Sequence, residues 1–286
     1  MKVGFIGLGA MGAPMAASLE RAGHAVQSFD LNGKGNRNSA REASAGAEVL
    51  FTSLPGPAEV DAIAKEVSAP IWFDLSTNSP KRIRALHAKF KGQLLDAPVS
   101  GGPKGAQSGK LAIWVGGDRA TYDKYLSILK AIGDQPFYVG TIGAGTVAKL
   151  AHNAASFTVQ ASLAEIFTLG VKAGVEPLAL FQALRQGATG RKRTFDRLPE
   201  HFLNGKYDPA DFTVRLAHKD VTLAMELAAE VGVPMRVGKI ALDELSEAMQ
   251  RGWSERDCRV AMTLQEERAG VSVKVPDETL RDALED

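Results

Sequence analysis

The run Gly143-Ala144-Gly145-Thr146-Val147-Ala148-Lys149-Leu150-Ala151-His152-Asn153 holds the side chains best placed to do chemistry in this chain of 286 residues. Two glycines open it, and an apolar helical pattern continues to about Gly170. Between Asp134 and Glu165, with histidine counted neutral, Lys149 is the only charged side chain. Lys149 and Asn153 are four residues apart, so on a helix they share one face. An ammonium on an apolar helix costs free energy unless it meets a cleft or a partner. Desolvation or a neighbouring cation can bring a lysine near working pH, where it serves as a general acid or base. Equally, its stem can lie on the core while its head reaches water. Taken alone, the run leaves both readings open.

A second set of residues is suited to holding anions. Residues 2–7 read as a strand, and Gly7-Leu8-Gly9-Ala10-Met11-Gly12 follows at once, ahead of a helix pattern from about Met11 to Ala22. This is the G-x-G-x-x-G dinucleotide fingerprint in its required setting, with glycines that let backbone approach a pyrophosphate at a helix N-terminus. A strand from His24 to Phe29 ends at Asp30, eighteen residues beyond Gly12. An acid there can accept from a ribose diol and repel a 2′-phosphate, so NAD is expected over NADP. Lys34 and Arg37 could counter Asp30, but read as solvated loop charges. Farther on, Pro98-Val99-Ser100-Gly101-Gly102-Pro103 offers open backbone N–H groups and a hydroxyl to an anion, or is simply a tight loop.

The elements that must position these residues alternate. Strands are expected at Ala47–Leu54, Ile71–Leu75, Gln93–Ala97, Leu111–Val115 and Pro136–Val139, with helices at Ala58–Ser68, Pro80–Lys91 and Arg119–Ile132. Such alternation predicts a Rossmann-type doubly wound parallel sheet that binds ligand at the carboxyl ends of its strands. From Ala161 to Gly270 only helical periodicity is found. The expected domains are therefore residues 1–160, α/β, and 161–270, all-α, joined by the long helix that carries Lys149. Residues 271–286, polar and charged, read as a loosely held tail. Charged residues make up 23% and the formal net charge is +1, so neither nucleic acid nor an anionic membrane is expected as a partner. One cysteine, no signal-peptide pattern and no apolar span predict a soluble cytoplasmic protein. No His/Cys cluster suggests a metal.

Four motifs together resemble the β-hydroxyacid dehydrogenases, the 3-hydroxyisobutyrate dehydrogenase family. They are Gly7 to Ala16; Asp96-Ala97-Pro98-Val99-Ser100-Gly101-Gly102, continuing to Gly105-Ala106 and Gly109-Lys110-Leu111; Gly143-x-Gly145-x-x-x-Lys149-x-x-x-Asn153; and Lys219-Asp220-Val221-Thr222-Leu223-Ala224, running on to Gly232 and Pro234. The resemblance covers about residues 1–268. It implies that Lys149 is the catalytic acid/base, that Asn153 anchors substrate, and that Ser100, Gly101 and Gly102 hold a substrate carboxylate. It also implies that Leu54, Pro55, Thr77 and Lys219 line the dinucleotide, and that the protein is a homodimer or homotetramer. Two segments are short for the family, Leu31–Gly46 and Pro55–Asp74, and both lie where the adenine end of the cofactor is expected.

The expected function is hydride transfer between NAD and the hydroxyl carbon of a small anionic 3-hydroxy acid. Alternatives are an NADPH-dependent reductase of a semialdehyde or imine, and a catalytically silent binding module. 3-Hydroxyisobutyrate, serine, tartronate semialdehyde, sulfolactaldehyde and 4-hydroxybutyrate chemistry all share the scaffold by resemblance. The cluster Arg191-Lys192-Arg193 reads as an exposed loop, with a grip on a second anionic group as the alternative. His152 and His218, beside motif residues, read as packing or lining side chains.

Overall fold

In a computed structural model, which describes residues 1–172, 174–187, 198–230 and 235–285, five short apolar runs line up in parallel. They are β1 (Lys2–Ile6), β2 (Ala25–Phe29), β3 (Val49–Thr52), β4 (Ile71–Asp74) and β5 (Gln93–Asp96), in the spatial order β2-β1-β3-β4-β5. Between them run α1 (Gly12–Arg21), α2 (Ala40–Ser44), α3 (Pro57–Ile63) and α4 (Pro80–His87). Strands covered on both faces bury every side chain, which is why β3 (VLFT) and β4 (IWFD) read as unbroken apolar runs. Val3, Phe5, Val49, Phe51, Ile71, Phe73 and Leu95 point to one face, against Met15 and Leu19 of α1. Ile6, Leu50, Trp72 and Leu94 point to the other, against Ala40, Val60 and Ile83 of α2, α3 and α4.

The sheet then changes direction. β6 (Val99–Ser100) leads into α5 (Gly102–Ser108), β7 (Ala112–Gly116), α6 (Arg119–Lys130) and β8 (Gln135–Gly140). β7 runs antiparallel to β5, where Asp96 faces Gly116, and to β6, and is parallel to β8. The sheet is thus predominantly parallel, with one reversal at the end of β5.

Contacts divide the chain into Met1–His152 and Asn153–Asp286. The division falls within α7 (Ala144–Lys172), so the boundary expected at residue 160 lies inside one continuous helix. The second unit adds α8 (Pro177–Gln186), α9 (Leu198–His201), α10 (Val214–Glu230), α11 (Arg236–Gln250), a 3-10 turn at Cys258–Met262, α12 (Thr263–Ala269) and α13 (Asp277–Glu285). Among its described residues there is no strand, only a bridge between Thr213 and Asp257. One core gathers Phe157, Val214, Val221, Ala241, Leu245 and Val260; another gathers Phe167, Phe181, Phe202 and Leu203.

Residues 271–285 are not a loose tail. Val273, Val275 and Leu280 are buried in the Phe167–Phe202 core, and the Val275 N–H donates to the Leu203 carbonyl. The polar composition conceals three apolar side chains that all face inward. Among the described residues no helix is long and apolar enough to cross a membrane.

Candidate active site

The parallel register places the ends of five strands in one row. Phe29, Ile6, Thr52, Asp74 and Asp96 are neighbours across β2, β1, β3, β4 and β5. Every residue expected to hold cofactor or a substrate carboxylate in this half of the chain follows that row. Gly7 to Gly12 leave β1, Asp30 leaves β2, Leu54 and Pro55 leave β3, Thr77 leaves β4, and Ser100 to Gly102 leave β5 through a short turn. Carboxyl ends of parallel strands are where such sheets bind ligand. The Leu54 N–H donates to the Ser76 hydroxyl, 2.9 Å away, joining the β3 and β4 loops.

The glycine loop has the shape its cofactor needs. A Cβ on Gly12 would stand 1.8 Å from the Gly7 carbonyl oxygen, so only glycine lets α1 begin there. A Cβ on Gly9 would meet nothing within 4 Å, which leaves open space beside that backbone for a pyrophosphate. Asp30 accepts the Leu8 N–H at 2.7 Å and the Asn32 N–H at 2.8 Å. Burial pushes its carboxyl up, but those hydrogen bonds and the Lys34 charge outweigh it and hold the group below its ordinary value. Arg37 turns away, donating from Nε to Gln27 and from Nη1 to the Asn36 carbonyl. The short segment after Asp30 folds back on β2: the Asn36 side chain accepts from Ser28 N–H and donates to the Val26 carbonyl.

Ser100 ends β6, and Gly101 and Gly102 both take positive φ as the chain turns into α5. The Ser100 hydroxyl lies 3.3 Å from His152 Nε2, and the imidazole packs 5.0 Å from the Trp114 ring. Burial of that ring, followed by the Lys149 charge, lowers the His152 pKa. His152 is three residues beyond Lys149 on α7, so the side chain that meets the Ser100 hydroxyl stands one helical turn from Lys149.

Asp96 fixes where α7 begins. One carboxylate oxygen accepts the Gly143 N–H at 2.6 Å, and the other accepts the Thr146 N–H at 2.6 Å and the Thr146 hydroxyl at 2.8 Å. These are helix N-terminal donors that nothing within the helix can satisfy. Burial outweighs the same hydrogen bonds and raises the Asp96 pKa to about 6. A Cβ on Gly145 would stand 2.1 Å from the Trp114 carbonyl oxygen, so the first turn lies directly on β7. Gly145 therefore serves this packing, whereas Gly143 takes positive φ and a Cβ there would stand 2.8 Å from Arg84 Nε. The role of Asp96 is invisible to spacing rules, because its partners are 47 and 50 positions away.

In the second unit Asn153 is buried, and its amide nitrogen donates to Asp220 Oδ2. Lys219 Nζ lies 2.9 Å from the other oxygen of Asp220, an ionic contact and not a directed hydrogen bond. Two motif residues, Asn153 and Lys219, thus meet at a carboxylate to which the sequence alone assigns no role. His218 pairs with the Ser246 hydroxyl at 3.0 Å, between α10 and α11, and burial lowers its pKa.

His201, Asp211 and Asp257 present atoms close enough to share a metal ion. The buried guanidinium of Arg259 also lies against this group, with Nε 2.8 Å from Asp257 and Nη2 3.5 Å from Asp211. Arg191, Lys192 and Arg193, and Gly232 and Pro234 of the fourth motif, lie outside the described residues.

Residues 2–140 match the family model described as the NAD binding domain of 6-phosphogluconate dehydrogenase, and residues 143–264 the one described as NAD-binding of NADP-dependent 3-hydroxyisobutyrate dehydrogenase. The chain is 33% identical to the 2-(hydroxymethyl)glutarate dehydrogenase of Eubacterium barkeri, over 96% of its own length and 97% of the relative's. It is 32% identical to the NAD-dependent L-serine dehydrogenase of Pseudomonas aeruginosa, over 92% and 97%. Among solved structures, a Mycobacterium tuberculosis 3-hydroxyisobutyrate dehydrogenase with L-serine matches with a TM-score of 0.81 at 30% identity, over 92% of this chain and 98% of that one. With its dinucleotide-binding sheet and helical second unit, the chain belongs to the β-hydroxyacid dehydrogenases, the family of 3-hydroxyisobutyrate dehydrogenase.

Proposed function

We propose that the protein is an NAD-dependent dehydrogenase of a small 3-hydroxy acid, with Lys149 as its general acid and base. One observation carries this reading: the Ser100 hydroxyl lies 3.3 Å from His152, one turn along α7 from Lys149, beside the row of strand ends that the dinucleotide fingerprint follows. When bound, the nicotinamide accepts or supplies the hydride. Lys149 takes the hydroxyl proton during oxidation and returns it to the forming alkoxide during reduction. Ser100 and the N–H groups of Gly101 and Gly102 hold the substrate carboxylate. Asn153 contacts substrate without adding charge, through the amide groups that Asp220 does not engage, and Lys219 contacts the cofactor.

The substrates in the names of its relatives, 2-(hydroxymethyl)glutarate, L-serine and 3-hydroxyisobutyrate, share a hydroxymethyl group next to a carboxylate-bearing carbon. That shared chemistry supports the 3-hydroxy acid class. Preference for NAD rests on Asp30, whose carboxylate opposes a 2′-phosphate while Arg37 is engaged elsewhere. The names of its relatives include both cofactors, so the choice rests on these residues alone.

A panel of 3-hydroxy acids and the matching semialdehydes, assayed by nicotinamide absorbance with both cofactors, tests the reading. The expected result is turnover of a 3-hydroxy acid with kcat/KM at least about tenfold higher for NAD, a difference of about 1.4 kcal/mol. Clear preference for NADP would overturn the reading of Asp30, and turnover of semialdehydes alone would favour a reductase.

A further inference from the structure

The buried carboxylate of Asp96 has no part in the chemistry above, yet it makes three short hydrogen bonds to the start of the helix that carries Lys149. We propose that Asp96 is a positioning residue: by gripping the first turn of α7 it sets where the Lys149 ammonium stands. The inference rests on the reading of Lys149 as the acid/base.

The geometry argues for a position fixed in all directions. Gly143 is the residue before the helix and Thr146 is its third, so Asp96 engages two of the donors that a local capping box would satisfy. Here the acceptor comes from the end of β5 and not from the helix itself. A carboxylate at this end also meets the positive pole of the helix. The neighbouring backbone leaves it no freedom: a Cβ on Gly116 would stand 2.5 Å from Asp96 Oδ1, and one on Gly145 would stand 2.9 Å from the Asp96 carbonyl oxygen. Thr146 precedes Lys149 by one helical turn, so a tilt or rotation of the first turn passes directly to Lys149. Reacting groups must be held within a few tenths of an ångström, and a misplacement of about 1 Å costs on the order of 10²-fold in rate.

The test compares Asp96→Asn, Thr146→Val, Lys149→Ala and the double variant Asp96→Asn/Lys149→Ala. Assays use NAD and the fastest of 3-hydroxyisobutyrate, L-serine and 2-(hydroxymethyl)glutarate. The Asp96→Asn substitution places an amide donor against N–H and O–H groups that now find an acceptor. The expected result is a folded protein with kcat lowered about 10²-fold, an unchanged KM for NAD, and faster amide hydrogen exchange at Gly143 to Lys149. Thr146→Val removes one of the three bonds at nearly constant volume and is expected to lower kcat about three- to tenfold. The double variant is expected to turn over no more slowly than Lys149→Ala. Normal kcat in Asp96→Asn despite faster exchange, or losses that multiply in the double variant, would overturn the proposal while leaving Lys149 intact. If Asp96→Asn does not fold, normal kcat in Thr146→Val overturns it. Near-normal turnover by Lys149→Ala would instead overturn the acid/base reading, and the positioning role with it.

Discussion

Gly9 and Gly12 belong to one fingerprint but are glycines for different reasons. At Gly12 the Gly7 carbonyl leaves no room for a side chain, whereas at Gly9 the space is open. Gly12→Ala is therefore expected to lower the melting temperature of the free protein, at a cost of about 1–3 kcal/mol. Gly9→Ala is expected to leave that temperature unchanged and to weaken NADH binding in a fluorescence titration. Asp96 yields a prediction in pH. Its folded pKa of about 6 lies above the ordinary carboxylate value of 3.8, so between those two pH values the folded chain holds a proton that the unfolded chain releases. Stability therefore falls as pH rises from about 4 to about 6, by up to about 3 kcal/mol at roughly 1.36 kcal/mol per unit. Urea midpoints across this range are expected to decline less steeply in Asp96→Asn than in the native protein. At this scale Lys149, Ser100 and the glycine loop can be picked out of the sequence as candidates because each lies within a local motif. Asp96, Asp220 and the His152–Ser100 contact are not, since each depends on a partner dozens of residues away.

At the scale of elements, strands alternating with helices can be read from apolar runs closed by glycine and proline, and their ends shift by only a few residues. α5 is concealed by its composition: Gly102, Pro103, Gly105 and Ser108 read as a loop. Gly105 is there for packing, since a Cβ on it would lie 3.1 Å from the Leu111 side chain, whereas Gly102 meets nothing and serves a positive φ. The last sixteen residues mislead for the opposite reason. Charge dominates that stretch, and hydrophobic patterning is too sparse to show that Val273, Val275 and Leu280 all close over Phe167, Phe202 and Leu203. Truncation after Gly270 exposes this core. At about 1.5–3 kcal/mol for each large buried side chain, the cost is expected to reach roughly 5 kcal/mol or more. A calorimetric melt of the truncated chain should show a lost or strongly lowered transition; an unchanged one would mean that the segment adds nothing to the fold.

Across the whole molecule the two units serve different ends. The α/β unit lines up five strand ends so that backbone N–H groups, Asp30 and Ser100 follow one row, and the sheet reversal after β5 brings the start of α7 to Asp96 at the end of that row. The helical unit encloses its own cores and holds Asn153 and Lys219 on Asp220. A formal charge of +1 gives little net attraction for an anion, so in the proposed reading recognition falls to the few residues of the site. The central claim is that Lys149 moves the proton while the sheet binds the cofactor, and Lys149→Ala separates the two. Its kcat for the preferred hydroxy acid is expected to fall about 10²- to 10⁴-fold, with the Kd for NADH within about twofold of the native value. Turnover within a factor of about two of the native protein would contradict the account.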